Sequence, residues 1–152
     1  MERVNDTFLL IGRLLIAALF LNAGIPKAIG FITGDQVYGG FLKSVTGSGL
    51  PYPEVWALVG IAIEVLAPIA LILGIFPRVS SLFLIAFVII ATAIAHRYWE
   101  FVEPMARRSQ NSSFFKNVAI IGGLLFYCVS GPGAFALAGR GAGSSVGAHA
   151  RA

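Results

Sequence analysis

The chain has 152 residues, of which 57% are hydrophobic and 12% are charged. Soluble domains carry about a quarter charged residues, so this composition excludes a water-soluble fold, and the length leaves room for one domain. The net charge of +4 comes from scattered basic residues, which is typical of positions at lipid headgroups and argues against a nucleic-acid partner.

The first apolar stretch, residues 8–31, has the length of a membrane-spanning helix, which needs about 20 apolar residues. It does not have the pattern of a cleaved signal peptide, because acidic residues flank Arg3 ahead of it, Arg13 interrupts it, and no small-residue cleavage site closes it. We therefore predict a retained span. Arg13 and Lys27 are 14 positions apart, almost four helical turns, so both lie on nearly one face.

The connection that follows, residues 33–53, contains a short amphipathic segment. Its apolar residues recur at near-helical spacing, namely Val37, Tyr38, Phe41, Leu42 and Val45. We predict a short interfacial helix that is broken at Gly47-Ser48-Gly49, and we suggest that it acts as a lid.

Three further apolar stretches follow: residues 55–76, 79–99 and 114–137. Only Pro77-Arg78 separates the second from the third, which forces an antiparallel hairpin, since proline cannot continue the helix. Residues 100–113 form a polar connection before the fourth. The sequence therefore predicts an all-α fold, an antiparallel bundle of four transmembrane helices. Both termini then lie on one side, here called the terminal side, and the longer connections lie on the loop side.

The chain closes with GAGSSVGAHARA, a small and polar segment without core-forming residues. We predict one membrane domain over residues 1–137 and a flexible C-terminal tail over residues 138–152. The single cysteine, Cys128, excludes an intramolecular disulfide and a CxxC redox pair, and in an apolar helix it is expected to pack as a small hydrophobe.

Hydrophilic side chains occur in all four spans. Glu64 lies near the middle of the second span, where a carboxyl group costs roughly 2.5–3.5 kcal/mol to insert, so an unpaired one is hard to keep. By helical rise and direction, Lys27, His96 and Asn117 should surround one mouth on the loop side. Glu64 should lie about 15 Å beneath them and Arg13 deeper still. This placement predicts an inward-facing polar column.

These five residues are the candidate site. Glu64 and His96 are the candidate catalytic residues for proton transfer, and Arg13, Lys27 and Asn117 are candidate substrate-binding residues. We predict no metal site, since one histidine supplies too few ligands. Structural interpretations stay open: Arg13 and Glu64 as a buried pair that only fixes packing, Lys27 and His96 as interfacial residues, Asn117 as a helix-to-helix hydrogen-bond donor.

Five segments occur in an order that resembles a known family. They are GRLLIAALFLNAGIPKAIGF with Arg13, Gly24 and Lys27, then GSGLPYP, the Glu64 helix ending in LILGIFPR, AHRYW, and FFKNVAIIGGLLFYCVSGPG. Over residues 8–137 the chain resembles the DoxX family of integral membrane proteins. The resemblance implies a four-helix membrane protein.

The resemblance also implies a redox context. Some members of that family are subunits of a thiosulfate:quinone oxidoreductase, and others are associated with thiol-redox or oxidative-stress complexes. The chain departs from the family at Ala136-Leu137-Ala138, where members often have a Ser-Leu-Asp-like end. This departure weakens the transfer of any activity that depends on that polar end.

We expect a redox-associated membrane protein, a quinone- or thiol-linked component, with a quinone headgroup bound at the mouth formed by Lys27, His96 and Asn117. The chain has no cofactor motif, so we expect no intrinsic cofactor. We expect that it binds a quinone and that a redox partner subunit acts with it. Whether the chain is itself an enzyme stays open. The alternatives are a non-catalytic scaffold or assembly subunit and a small-solute or proton pathway. We expect a multi-pass protein in the lipid bilayer of the bacterial inner membrane, with oligomerisation left open.

Overall fold

The computed structural model describes residues 2–137, and within that range the chain is helical and has no strand. The helices are α1 (Glu2–Thr33), α2 (Gln36–Gly47), α3 (Pro53–Leu73), α4 (Pro77–Ala95) and α5 (Pro104–Ser130), with one turn of 3-10 helix at Tyr98–Glu100. Four of them, α1, α3, α4 and α5, are long and apolar enough to cross a membrane. The predicted all-α four-span fold is therefore confirmed, with α2 as the short helix between the first two spans. The predicted tail, residues 138–152, lies outside the described residues.

The helices pack in a chain of neighbours. Helix α1 contacts α3, α3 contacts α4, and α4 contacts α5, while α2 lies against both α1 and α3. Their shared core is apolar and consists of Ala17, Phe20, Leu71, Leu84, Val88, Leu124 and Tyr127. Most other large apolar side chains face outward, as expected where lipid rather than water surrounds the bundle.

The turn between α3 and α4 is a tight reversal. Helix α3 ends at Gly74, whose φ of 67° is the left-handed conformation that glycine adopts without strain. Helix α4 starts at Pro77, which is suited to the first helical turn because that turn has no use for its missing N–H. The predicted hairpin is present, but its turn lies at residues 74–76 instead of Pro77-Arg78, because those two residues already form the first turn of α4.

Helix α5 differs from the predicted fourth span at both ends. The connection predicted over residues 100–113 is mostly helical, because Glu103 caps a helix that starts at Pro104; its carboxylate accepts hydrogen bonds from the Met105 and Ala106 amides at 3.0 and 2.6 Å. The helix also stops earlier than predicted, at Ser130, because Gly131 has a φ of 78°. The polar first turns of α5 carry no helix breaker, so they extend the helix beyond its apolar part. The third span also ends early, since α4 stops at Ala95.

Residues 131–137, predicted as part of the fourth span, instead form a non-helical segment that folds back across the terminal side of the bundle. We call this segment the strap. The Leu137 amide donates to the Leu73 carbonyl at 2.9 Å, and the Ala134 amide donates to Asp6 Oδ1 at 2.9 Å. The strap therefore connects the end of α5 to both α1 and α3.

Candidate functional site

The central polar feature of the bundle is an ion pair between α1 and α3. Lys27 Nζ lies 2.8 Å from Glu64 Oε1 and 2.6 Å from Glu64 Oε2, so one ammonium group binds both carboxylate oxygens. Glu64 is 4% exposed, whereas the Lys27 side chain is 20% exposed. The carboxylate required a partner at this depth, and Lys27 supplies it.

Close contact between the two helices makes this pairing geometrically possible. A Cβ atom added at Gly24 would lie 3.0 Å from the carbonyl oxygen of Glu64 and 3.1 Å from its Cβ. Only glycine lets α1 approach α3 so closely, and Lys27 follows one helical turn later on the same face. The Glu64 carbonyl has no helical donor, since Pro68 lacks an N–H at the position that would bond to it. The sequence thus brings the helices together at Glu64 itself.

Helix α2 covers the ion pair from the loop side. The ring centroid of Phe41 lies 4.6 Å from Lys27 Nζ, a cation–π distance. The same ring lies against α3, where a Cβ atom added at Gly60 would be 3.2 Å from it. The start of α2 is fixed by Asp35, whose Oδ1 accepts hydrogen bonds from the Val37 and Tyr38 amides at 2.8 and 3.2 Å. The interfacial helix therefore places an aromatic face over the ammonium group.

His96 and Asn117 make their hydrogen bonds elsewhere, between α4 and α5. His96 Nδ1 lies 2.8 Å from Gln110 Oε1, and Asn117 Nδ2 donates to Thr92 Oγ1 at 2.8 Å. Thr92 Oγ1 in turn donates to the Val88 carbonyl at 2.6 Å. Neither residue is hydrogen-bonded to the Lys27–Glu64 pair. The structure therefore joins two of the five candidate residues directly and uses two others to tie α4 to α5.

Arg13 lies near the opposite end of α1. It is 14 positions from Lys27, about 21 Å along the helix axis. Its side chain is 1% exposed, and Nη2 lies 3.3 Å from the Phe135 carbonyl oxygen in the strap. Between the two basic residues the same face of α1 carries Ala17 and Phe20, which belong to the apolar core. The predicted polar column is therefore interrupted, because closely packed apolar side chains fill the middle of the bundle.

Three residues of the site and its surroundings were not identified from the sequence. Phe41 was assigned to the interfacial helix but not to the site. Gln110 lies in a segment predicted as a loop, so no helical register pointed it toward His96. Tyr127 is a phenol buried in the apolar core, and its place in the middle of the fourth span was an available signal.

The arrangement supplies proton-transfer and hydrogen-bonding groups. An ammonium group has three N–H donors, and Glu64 accepts from Lys27 through two oxygens, which leaves one donor for a further acceptor. Within residues 2–137 there is no cluster of three or more His, Cys, Asp or Glu side chains that could hold a metal ion. The predicted absence of a metal stays a prediction, as do the roles of the five candidate residues.

Comparison with known proteins agrees with this architecture. The family model described as DoxX matches residues 8–97. The chain is 31% identical over 133 residues to the inner membrane protein YphA of Escherichia coli, covering 88% of this chain and 89% of that protein. It is 28% identical over 137 residues to the inner membrane protein YqjF of the same organism, covering 90% and 94%. No solved structure matches the chain at a significant level.

These relatives and the four spanning helices confirm the prediction of a multi-pass protein of the bacterial inner membrane. The family model covers the first three spans and the interfacial helix, which include Arg13, Lys27, Glu64 and His96. The chain belongs to the DoxX family of integral membrane proteins.

Proposed function

We propose that this protein is a redox-associated component of the membrane that binds a quinone-type headgroup at the Lys27–Glu64 pair, beneath Phe41. The observation that carries the proposal is the bidentate ion pair itself, buried between α1 and α3 and covered by an aromatic ring. Ion pairs inside a membrane are costly, and intramembrane ionisable residues commonly mark a site of function.

The residues present suit such a headgroup. A quinone is a flat ring with carbonyl oxygens, so it needs a hydrogen-bond donor and an apolar wall. Lys27 retains one N–H beyond those directed at Glu64, its side chain is one-fifth exposed, and Phe41 offers a ring face beside it. The pair also lies near the loop-side end of α1, where the headgroup of a lipid-soluble molecule meets the interface.

In this proposal the chain binds the quinone and passes protons to it, and another protein supplies the electrons. A bound quinone would take up two electrons and two protons when it is reduced. Lys27 would donate a hydrogen bond to one carbonyl oxygen, and both protons would come from water at the loop-side interface, one of them relayed through the Glu64 carboxylate. A partner redox subunit would supply the electrons, since one thiol and no cofactor motif are available in this chain.

Binding of a short-chain quinone analogue to the full chain in lipid nanodiscs tests the proposal. We expect Lys27→Gln to weaken binding at least about tenfold, which corresponds to loss of a hydrogen bond to a charged group. Phe41→Leu, which leaves the ion pair in place, should weaken it several-fold. The exposed lysine of α2 provides a matched control, and Lys43→Gln should bind like the wild type. Absence of binding, or equal binding by all four proteins, would overturn the proposal.

A second candidate function, a non-catalytic scaffold, is favoured by the bonds between α4 and α5. His96, Gln110, Thr92 and Asn117 are all used to hold helices together. On this alternative the ion pair also serves only packing, and a partner protein would be recruited through the loops. A partner that copurifies equally well with wild type and with Glu64→Gln, in a protein that binds no quinone analogue, would favour the scaffold.

A further inference from the structure

Arg13 is the second buried charge of the bundle, and its environment differs from that of Glu64. It is among the most buried side chains of the chain, at 1% exposed. The ion pairs found within residues 2–137 are Lys27–Glu64 and Arg97–Glu100, and neither involves Arg13. An arginine does not lose its proton in a protein, so a full positive charge lies here without a carboxylate partner among the described residues.

The hydrogen-bonding capacity around this charge is also largely unused. Within residues 2–137, Arg13 Nε and Nη1 and the hydroxyl of Tyr127 are buried without a hydrogen-bond partner. Tyr127 belongs to the same buried core cluster as Ala17, which lies one helical turn from Arg13 on the same face of α1. Unpaired buried donors are costly, most of all when they are charged, so three of them inside one bundle are unusual.

The backbone leaves room for the guanidinium group. A Cβ atom added at Gly74, at the end of α3, would lie 2.6 Å from Arg13 Nη1. Glycine at this position therefore serves both the left-handed turn and the close approach of Arg13. The guanidinium nitrogens are donors in a planar fork that matches the geometry of an oxyanion, and the phenol is a further donor in the same buried core.

The strap covers the Arg13 guanidinium group from the terminal side. Its Phe135 carbonyl accepts the one side-chain hydrogen bond that Arg13 makes within residues 2–137, at a long 3.3 Å. Two further hydrogen bonds join the strap to Asp6 and Leu73. The strap is not helical, and glycines with φ of 78° and 73° stand at positions 131 and 133. A non-helical segment that is held by three hydrogen bonds among the described residues, with two glycines at its start, can lift without unfolding a span.

We propose that Arg13 and Tyr127 form a binding site for an oxyanion group of the phosphate class, which becomes accessible when the strap lifts. The anion replaces the Phe135 carbonyl as the partner of Arg13 and neutralises its charge. This site lies about 21 Å from Lys27 along α1 and does not depend on the proposed quinone function. The phosphate group can belong to a soluble molecule or to a lipid headgroup of the terminal-side leaflet.

Thermal unfolding of the full chain in a maltoside detergent, which contains no phosphate, tests this site. One arm adds inorganic phosphate, a second adds short-chain phosphatidylglycerol, and a third adds chloride at the same ionic strength. At about tenfold excess over Kd, binding should raise Tm by roughly 3–5 °C. A rise with inorganic phosphate identifies a soluble oxyanion as sufficient, and a rise with the lipid alone identifies the headgroup.

Three variants give the experiment its specificity. Tyr127→Phe removes only the hydroxyl, and this variant should lose at least half of the phosphate-dependent rise in Tm. Arg13→Lys keeps the positive charge but not the planar fork of donors, and it should lose most of that rise. Arg3→Gln, which removes an exposed cation from the same side, should respond like the wild type. Equal Tm in all three arms, or a rise that Tyr127→Phe and Arg13→Lys retain in full, would overturn the proposal.

Discussion

Glu64 and Lys27 illustrate the cost of charge inside a membrane at the scale of single residues. Each ion alone would be expensive to bury, and two hydrogen bonds of 2.8 and 2.6 Å offset that cost when the two meet. Lys27 keeps a fifth of its side-chain surface exposed, so part of its hydration is retained. The two partners therefore differ in burial, and Glu64 depends on the ion pair more than Lys27 does.

This asymmetry predicts how the pair responds to substitution. Glu64→Gln leaves the ammonium group without its counter-charge, and we expect a loss of about 2–3 kcal/mol in the free energy of unfolding. That is less than the 3–5 kcal/mol typical of a fully buried pair, because Lys27 is partly hydrated. The double variant Lys27→Met with Glu64→Gln should recover most of the loss. Denaturant unfolding in detergent measures both, and a Glu64→Gln protein as stable as wild type would contradict the expectation.

Gly24 offers a second test at the residue scale. An added methyl group there would meet the backbone of Glu64 at 3.0–3.1 Å, so Gly24→Ala must push α1 away from α3. We expect a loss of about 1–3 kcal/mol in the free energy of unfolding and a weaker ion pair.

A Cβ atom added at Gly12, on the same helix, would meet no neighbouring atom within 4 Å. Gly12→Ala should therefore be neutral or stabilise by up to about 1 kcal/mol, through helix propensity alone. The two substitutions are chemically identical and differ only in the neighbouring helix. Equal effects on unfolding would show that α1 and α3 are not in close contact at Gly24.

The sequence predicted which residues needed partners better than it predicted the partners themselves. Glu64 required a cation, and Lys27 was placed above it by helical rise. The depth argument could not show that a flexible lysine side chain reaches down to the carboxylate. His96 and Asn117 were placed near the same boundary, but distance along the membrane normal does not give the rotation of a helix. Their hydrogen bonds to Gln110 and Thr92 follow from that rotation.

At the scale of elements, helix ends were harder to predict than helix existence. All four spans and the interfacial helix follow from apolar length and spacing. The limits of α5 do not, because a polar segment can continue a helix once it is capped. Glu103 provides that cap, and Gly131 provides the stop. The strap has the composition of a span end, and only its contacts with Asp6 and Leu73 show that it folds back.

The cap of α5 predicts a pH dependence. Hydrogen bonds from the Ala106 and Met105 amides hold the pKa of Glu103 below its usual range. Because the folded pKa is lower than the unfolded one, the cap stabilises fully at pH values above the unfolded pKa. The stabilisation is lost as the pH falls through the folded pKa. Amide hydrogen exchange at Met105 and Ala106, corrected for the intrinsic effect of pH, should therefore accelerate in acid.

Glu103→Ala is the control for this effect. It should exchange faster than the wild type above the folded pKa of Glu103 and lose the additional acid dependence, since no carboxylate remains to be protonated. The ion pair between Arg97 and Glu100 does not involve these amides. Glu100→Ala should therefore leave the acid-dependent change in amide exchange in place. A wild-type profile as flat as that of Glu103→Ala would contradict a capping role.

At the scale of the whole molecule, the bundle carries two separate polar centres with an apolar core between them. The Lys27–Glu64 pair lies toward the loop side under α2, and Arg13 lies toward the terminal side under the strap. Helix α1 contributes a basic residue to each. Ala17 and Phe20 belong to the apolar core that lies between the two centres.

The central claim is that a quinone-type headgroup binds at Lys27 and Glu64 beneath Phe41. Photo-crosslinking of the full chain in nanodiscs with a photoreactive short-chain quinone, mapped by peptide mass spectrometry, tests the claim most directly. We predict labelling concentrated around Phe41 and Lys27, which unlabelled quinone competes away and Phe41→Leu reduces several-fold. Labelling spread evenly over the lipid-facing surfaces of α3, α4 and α5, unaffected by competitor, would contradict it.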